Sequence, residues 1–353
     1  MTNDSALDEE VARLSAIVDE HRRLIAESPG SLYAAYADAA MSLASRLADL
    51  ANPSQALAAA EEGVTHFRAL AAADNGIFGV HLASALNNLS NRLSEVAREA
   101  DAVAAGDEAV THARGALERR PDQARFVLVS ALLNQAGRAW KSGAVMTALE
   151  QMKEATGAFR DGGDAMAPYL GVMVEALHKN ALALSEMGMW DQAVAVRRMV
   201  ATCFPPPVPA PVQHLLALTL DQGAAALNTA GKIALALPMA EEAATVARAL
   251  AGADAGRYML FLAQTQSNLA LLRHQAGGHP EAMEMVLEAI SNFQQAAHTN
   301  AAATVVPLSA TLSIFAAVLT ALGHTEQAET VLAQRDGLLK VMEQAQAMTE
   351  GAE

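Results

Sequence analysis

Arg46, Arg92 and Arg138 stand 46 residues apart. A guanidinium repeated at a fixed interval is a device for holding carboxylates, which it pairs through two parallel hydrogen bonds. A plainer reading stands beside it: each arginine lies near the end of a helical stretch, where a cation offsets the helix dipole. The same plain reading covers Arg68, Arg114 and Arg160. A second column is polar but mostly uncharged: Ser42, Asn88, Asn134, Lys179, Gln222 and Asn268, closed by Ile314. One helical turn earlier run Asp38, Ser84, Ser130, Glu175, Leu218, Gln264 and Ala310. Amide side chains both donate and accept, which suits gripping the backbone of an extended peptide; an ordinary solvated helix face would be polar too. Asn87, Asn91 and Arg92 make the stretch around residue 90 the most polar of these, and a binding hot spot is expected there first.

Catalytic chemistry is not expected. The glycines fall as punctuation rather than as a phosphate-cradling loop, and no His-Glu-x-x-His occurs. His66 and His112 are copies of one position 46 residues apart, without a cysteine or carboxylate cluster at metal-ligand spacing. Cys203 has no adjacent His or Lys to activate it. No cofactor and no metal are expected, and the chain reads as a non-enzyme. A helical-barrel enzyme would concentrate acids and aromatics in one pocket, which this sequence does not do.

The elements that must position these columns repeat as well. One series of small residues is Ala44, Ser90, Ala136, Ala181, Ala224, Ala270 and Ala316. Twelve residues after each comes Ala56, Ala102, Ala148, Ala193, Ala236, Ala282 and Ala328. Between them lie Ala51, Ala97, Gly143, Gly188, Gly231, Gly277 and Gly323. Each unit is an apolar helical stretch, a break suited to the left-handed conformation that ends a helix, and a second helical stretch. The small residues let the two backbones approach, and neither stretch buries its apolar stripe without a neighbour. Val18 and Arg22 lie 46 before Val64 and Arg68, so residues 6 to 27 read as a lone second helix ahead of seven full units.

This pattern resembles the tetratricopeptide repeat family, which places a small residue in its first helix, glycine at the turn and alanine twelve residues after the first. The family's usual leucine before the first small residue stands at Leu43, Leu89 and Leu269 but gives way to Gln135, Asn180 and Gly223. The common unit is about 34 residues; the longer unit here, with Leu86-Asn87-Asn88-Leu89-Ser90, is similar in style to kinesin light chain. The resemblance implies an all-α fold: an α-solenoid, a right-handed superhelix of stacked antiparallel helix pairs, with the first helices lining its concave face. It implies peptide-backbone binding by Asn88, Asn134 and Asn268. The site expected on that face comprises Asn88, Asn134, Asn91, Arg92, Arg138, Arg46, Ser42, Asp38, Lys179, Gln222 and Asn268.

Composition narrows the partners. Apolar residues make up 52% of the 353 residues but aromatics only 4%, so the apolar content is mainly good helix formers. The formal charge of −15 repels phosphate backbones and anionic lipid, so no nucleic acid and no membrane surface are expected as partners. No run approaches the roughly 18 uninterrupted apolar residues of a membrane span, the first ten residues lack the features of a signal peptide, and one cysteine fits a reducing compartment. A soluble cytoplasmic protein is the expectation, with a protein or peptide partner and a homo-oligomer left open.

The organisation reads as a capping helix at 1–30, repeats one to four at 31–203, a proline-rich connection at 204–212 and repeats five to seven with a polar capping helix at 213–353. Five prolines in Phe204–Val212 favour an extended segment, either a stiff spacer within one continuous array or a hinge between two. Trp140 and Trp190 are expected to plug gaps between helices. Three functions fit: a protein- or peptide-binding scaffold; a ligand- or peptide-responsive sensor acting through a partner; and a self-assembling structural protein.

Overall fold

Each of the seven predicted breaks takes the left-handed conformation. Gly143, Gly188, Gly231, Gly277 and Gly323 have φ of 81°, 72°, 71°, 87° and 85°, and the two alanines in the series, Ala51 and Ala97, sit at 54° and 60°. The hydrogen bonds that close these turns recur too, with Asn52 N donating to Leu47 O, Arg98 N to Leu93 O, Ala144 N to Ala139 O and Gly278 N to Arg273 O, each at 2.8 to 2.9 Å. That is the paired closure of a helix end in which a left-handed residue frees the chain to turn back.

The computed structural model describes residues 3–27 and 33–350. The expected boundary between capping helix and first repeat, at residues 30 and 31, lies outside them, as does the end of the polar tail. α1 (Asn3–Glu27) is the half-repeat. Full pairs follow: α2 (Tyr33–Asp49) with α3 (Pro53–Ala73), α4 (Asn75–Glu95) with α5 (Glu99–Ala116), and α6 (Pro121–Lys141) with α7 (Val145–Asp161). A 3-10 turn, Gly163–Tyr169, leads to α8 (Leu170–Glu186), paired in sequence with α9 (Trp190–Thr202). Then come α10 (Ala210–Thr229) with α11 (Ile233–Ala253), α12 (Ala255–Gln275) with the first half of α13 (His279–Ala321), and the second half of α13 with α14 (Thr325–Glu350). No strand occurs among the described residues. The chain divides into two compact units, Met1–Leu177 and His178–Glu353. The division falls inside α8, and the proline-rich connection lies within the second unit.

α13 is two helices in one apolar stretch. Asn300, at φ −149° and ψ 83°, breaks it into 279–299 and 301–321, and its Oδ1 accepts from Ala303 N at 3.1 Å. By length and composition the whole stretch could cross a membrane. The break shows why it need not: each half is a partner in a helix pair, and Leu312, Ala316 and Leu319 are buried with Ala328 and Val331 of α14. Asp74 and Asp254 start α4 and α12 with the same backbone shape and the same cap, Ile77 N and Arg257 N donating to their carboxylates at 3.1 Å. These caps lie 16 residues ahead of the first small series, a regularity of the sequence that marks every first-helix start where an Asp or Asn stands there.

Both small series are buried, every member at 3% exposure or less. Ser90, the one polar member, donates across its pair to the carbonyl of Ala102, the residue twelve positions on. Around these crossings sit Leu86, Leu132, Leu177, Leu184, Leu220 and Leu272, nearly inaccessible; burying a leucine fully contributes roughly 2 kcal/mol against leaving it in water. Trp190 packs against the core formed by Val194, Leu220 and Ala236, and both it and Trp140 are half-buried.

Successive second helices are laced by ion pairs. Arg22 meets Glu62, Arg68 meets Glu108 and Arg114 meets Glu154 in the first unit, at 2.5, 2.5 and 2.7 Å. Arg198 meets Glu242 and Arg248 meets Glu288 in the second, at 2.6 and 3.5 Å. Arg68 and Arg114 are therefore structural, and their signal was in the sequence: Glu62, Glu108 and Glu154 keep the same interval of 46. The position equivalent to these glutamates beyond Arg160 is Met199. Such exposed pairs contribute well under 1 kcal/mol each, so they set register more than stability.

Candidate functional site

Adjacent first helices are also joined, by half-buried polar contacts rather than exposed ion pairs. Asn134 Nδ2 donates to Asn87 Oδ1 at 3.0 Å, and Asn268 Nδ2 reaches both carboxylate oxygens of Asp221 at 3.0 and 3.1 Å. The two contacts are equivalent in the repeat: each runs from three residues before the small residue of one unit to two before that of the next. Arg138 repeats the step one turn on, donating from Nη2 to Asn91 Oδ1 at 2.8 Å. The amides of Asn134 and Asn268, expected to grip a peptide, thus spend a donor on the neighbouring repeat.

Between α4 and α6 these residues enclose a pocket of about 480 Å³, lined by Asn91, Arg92, Ser94, Glu95, Leu133, Asn134, Gly137, Arg138 and Lys141. Four of the predicted residues meet here: Asn91, Arg92, Asn134 and Arg138. Three cations face one acid, and Arg92 is paired with that acid, Glu95, at 3.1 Å. Arg138 is the unusual member. It is 8% exposed, and its two bonded nitrogens meet the neutral oxygens of Asn91 and Gln135, the latter at 3.2 Å. Its Nε has no hydrogen-bond partner. Burial pulls the guanidinium below the usual arginine range, opposed by the charge of Glu99. Arginine stays protonated even so, and the result is a buried cation with donor capacity left over.

The departure at Gln135 now has a reason. Its amide donates to Asp107 Oδ1 at 2.6 Å and to Val103 O at 3.0 Å, which turns its oxygen towards Arg138. Gly106 makes the room: a Cβ there would overlap the Gln135 amide. A leucine at 135 would fill the same crossing but leave Arg138 without that acceptor. Sequence reading missed this support, together with Glu95 and Lys141; the residues at Gln135 and Gly106 were the available signal.

The other predicted residues are placed elsewhere. Asn88 is half-buried on α4 outside this pocket and makes no side-chain hydrogen bond among the described residues. Ser42 bonds the carbonyl of Asp38 in its own helix at 2.9 Å, and both are exposed. Arg46 is held by Glu10 of α1 at 3.3 Å and Asp49 at 3.2 Å. Lys179 and Gln222 are exposed on α8 and α10. Asn268 lines a second pocket, of about 590 Å³, with Asp221, Gln264, Ser267, Leu271, Phe293, Pro307, Ala310, Ser313 and Ile314. Among the described residues, no three of His, Cys, Asp and Glu come together as a metal site. Cys203 is buried at the end of α9.

No family model matches the chain, and no curated protein matches it. Solved structures resemble it. BtubC (BKLC) from P. vanneervenii is 18% identical over 68% of this chain and 91% of that one, with a TM-score of 0.39. The C-terminal part of a TPR repeat-containing protein from Cytophaga hutchinsonii is 13% identical over 93% and 98%, with a TM-score of 0.38. The apo form of RapI is 10% identical over 87% and 99%, with a TM-score of 0.39. The fold assignment rests on the chain's own geometry: helix pairs with buried small residues twelve apart, a left-handed turn between them, and polar contacts recurring between neighbours make this a tetratricopeptide-like repeat fold.

Proposed function

We propose that the chain is a protein- or peptide-binding scaffold and that the pocket between α4 and α6 holds an acidic side chain or terminal carboxylate of its partner. One observation carries the reading. Arg138 is buried without a carboxylate on it, in a pocket where Arg92 and Lys141 add positive charge and Asn91 and Asn134 add amides. A buried guanidinium is costly unless something pairs with it, and a carboxylate entering here would meet donors already in place. The reading is of binding rather than catalysis, in a soluble protein of the cytoplasm.

Panning a random dodecapeptide library against the full chain tests it. The enriched peptides should be acidic, and Arg92→Gln with Arg138→Gln should weaken them by about thirtyfold or more, the cost of removing one partner of a buried charge pair. Enrichment of peptides without acids, or affinity untouched by the two substitutions, would sink the proposal.

A further inference from the structure

The pocket of the second unit carries the opposite sign. Of its lining residues only Asp221 is ionisable. Its carboxylate, on α10, receives the Asn268 amide and, among the described residues, no cation pairs with it. A carboxylate has room for about four hydrogen bonds, so the two contacts from the Asn268 amide leave about half of its capacity open. Asp221 is half-buried, and burial holds it above the usual aspartate range, the Asn268 hydrogen bond opposing. The guanidinium that reaches the lining residue Ser313 is committed elsewhere: Arg335 donates to Ser313 Oγ at 3.3 Å, and Asp336 holds it at 2.6 Å.

The rest of the wall is apolar on one side and polar on the other. Leu271, Phe293, Pro307 and Ile314 come from α12 and both halves of α13, and Gln264 and Asn268 line the pocket from α12. A basic side chain fits this division. Its methylene stem would cover apolar surface while its charged head met the carboxylate, and a volume of about 590 Å³ leaves space for backbone on either side of it. A small anion would meet a like charge, and an apolar side chain would leave the carboxylate buried and unpaired, which is costly.

We infer that the pocket formed by α10, α12 and α13 binds a lysine or arginine side chain of a peptide, with Asp221 as its counter-ion and Leu271 and Ile314 against its stem. The inference rests on the first-helix face being the binding face, but not on the acid-binding pocket between α4 and α6.

Two blocked pentapeptides, one with a central lysine and one with norleucine there, both flanked by alanine, are titrated calorimetrically into the full chain at neutral pH and physiological salt. The lysine peptide binds about thirtyfold tighter than the norleucine peptide, and Asp221→Asn removes that preference. Glu284→Gln removes the same formal charge from an exposed site on α13 and keeps the preference, which separates the pocket from general attraction to an acidic protein. Ile314→Lys supplies an ammonium from the wall itself and blocks the lysine peptide, a second readout should Asp221→Asn perturb folding. Equal affinity for the two peptides, no binding of either, or a preference that survives Asp221→Asn overturns the inference. So does displacement by n-butylamine at the same concentration as by the peptide, which would make the site one for free amines. If acidic library peptides still bind through Arg138, only this inference falls; if they fail while the lysine preference holds, the reading of the α4–α6 pocket falls instead.

Discussion

The first-helix faces of the two units are built on one register and carry opposite charges. Three residues before the small residue stands Asn87 in the first unit and Asp221 in the second, and each meets an asparagine of the next repeat. Two residues after the small residue stand Arg46, Arg92 and Arg138 in the first unit, but Ala183, Ala226, Leu272 and Val318 in the second. The lace between neighbouring helices is kept while the charge around it is changed. The difference teaches that the repeat fixes where polar groups face one another, and that the identity of a few residues at fixed offsets then sets what the face can hold.

The sharpest way to break this comparison is to attack what the units share. Ala136→Leu in the first and Ala270→Leu in the second put a large side chain into helix crossings whose native residues are fully buried. Each should cost about 1 to 3 kcal/mol, with similar shifts in denaturant midpoint for the two. If one position absorbs the leucine freely, the two units are not built alike.

A second test uses the charge they do not share. Burial raises the folded pKa of Asp221 above its unfolded value, so the folded state holds that proton more tightly. The sign follows: Asp221 costs the fold nothing at pH values below the ordinary aspartate value near 3.9, and its ionisation destabilises the fold as pH rises through the raised folded value. Asp221→Asn should therefore be more stable than wild type at pH 7, with the gap shrinking as pH falls towards about 4, by at most about 1.4 kcal/mol per pH unit. Taking the difference between the two proteins cancels the other carboxylates. A gap independent of pH between 4 and 7 would show that Asp221 is not the buried acid of this face.

The smallest effect comes from the turns. All four turns of the second unit carry glycine, but Ala51 and Ala97 in the first hold a left-handed backbone that alanine adopts at a cost. Ala97→Gly should stabilise the chain by about 1 kcal/mol in thermal or chemical unfolding, while Gly277→Ala should destabilise it by a similar amount. Neutral outcomes at both would mean that the turns tolerate either residue and that the glycine series is incidental.

Much of the fold was legible because repetition multiplies weak signals. A single alanine says little in so alanine-rich a chain, but seven linked small residues, each with a partner twelve residues on and a turn residue between them, fixed the helix pairs. The half-repeat was legible from Val18 and Arg22 for the same reason; Val18 is buried and Arg22 joins the ladder. The site was half legible. Asn91, Arg92, Asn134 and Arg138, singled out by the sequence, line the pocket between α4 and α6, while Asn88 lies outside it and Asn87 meets Asn134. A one-residue difference moves a side chain by about 100° around a helix, and periodicity counted in whole repeats does not resolve which of two neighbours faces the next unit.

The sequence by itself determined the helix pairs, their turns and the columns of polar residues, since these follow from local propensity and from a period that every copy repeats. Only the tertiary structure decided which members of a column are spent on neighbouring helices and which are not. Asn134 and Asn268 looked equivalent in the chain; packing gave one a neutral partner beside three cations and the other a half-buried carboxylate. Burial and pairing are properties of what surrounds a residue, and residues 47 apart become neighbours only when the helices stack.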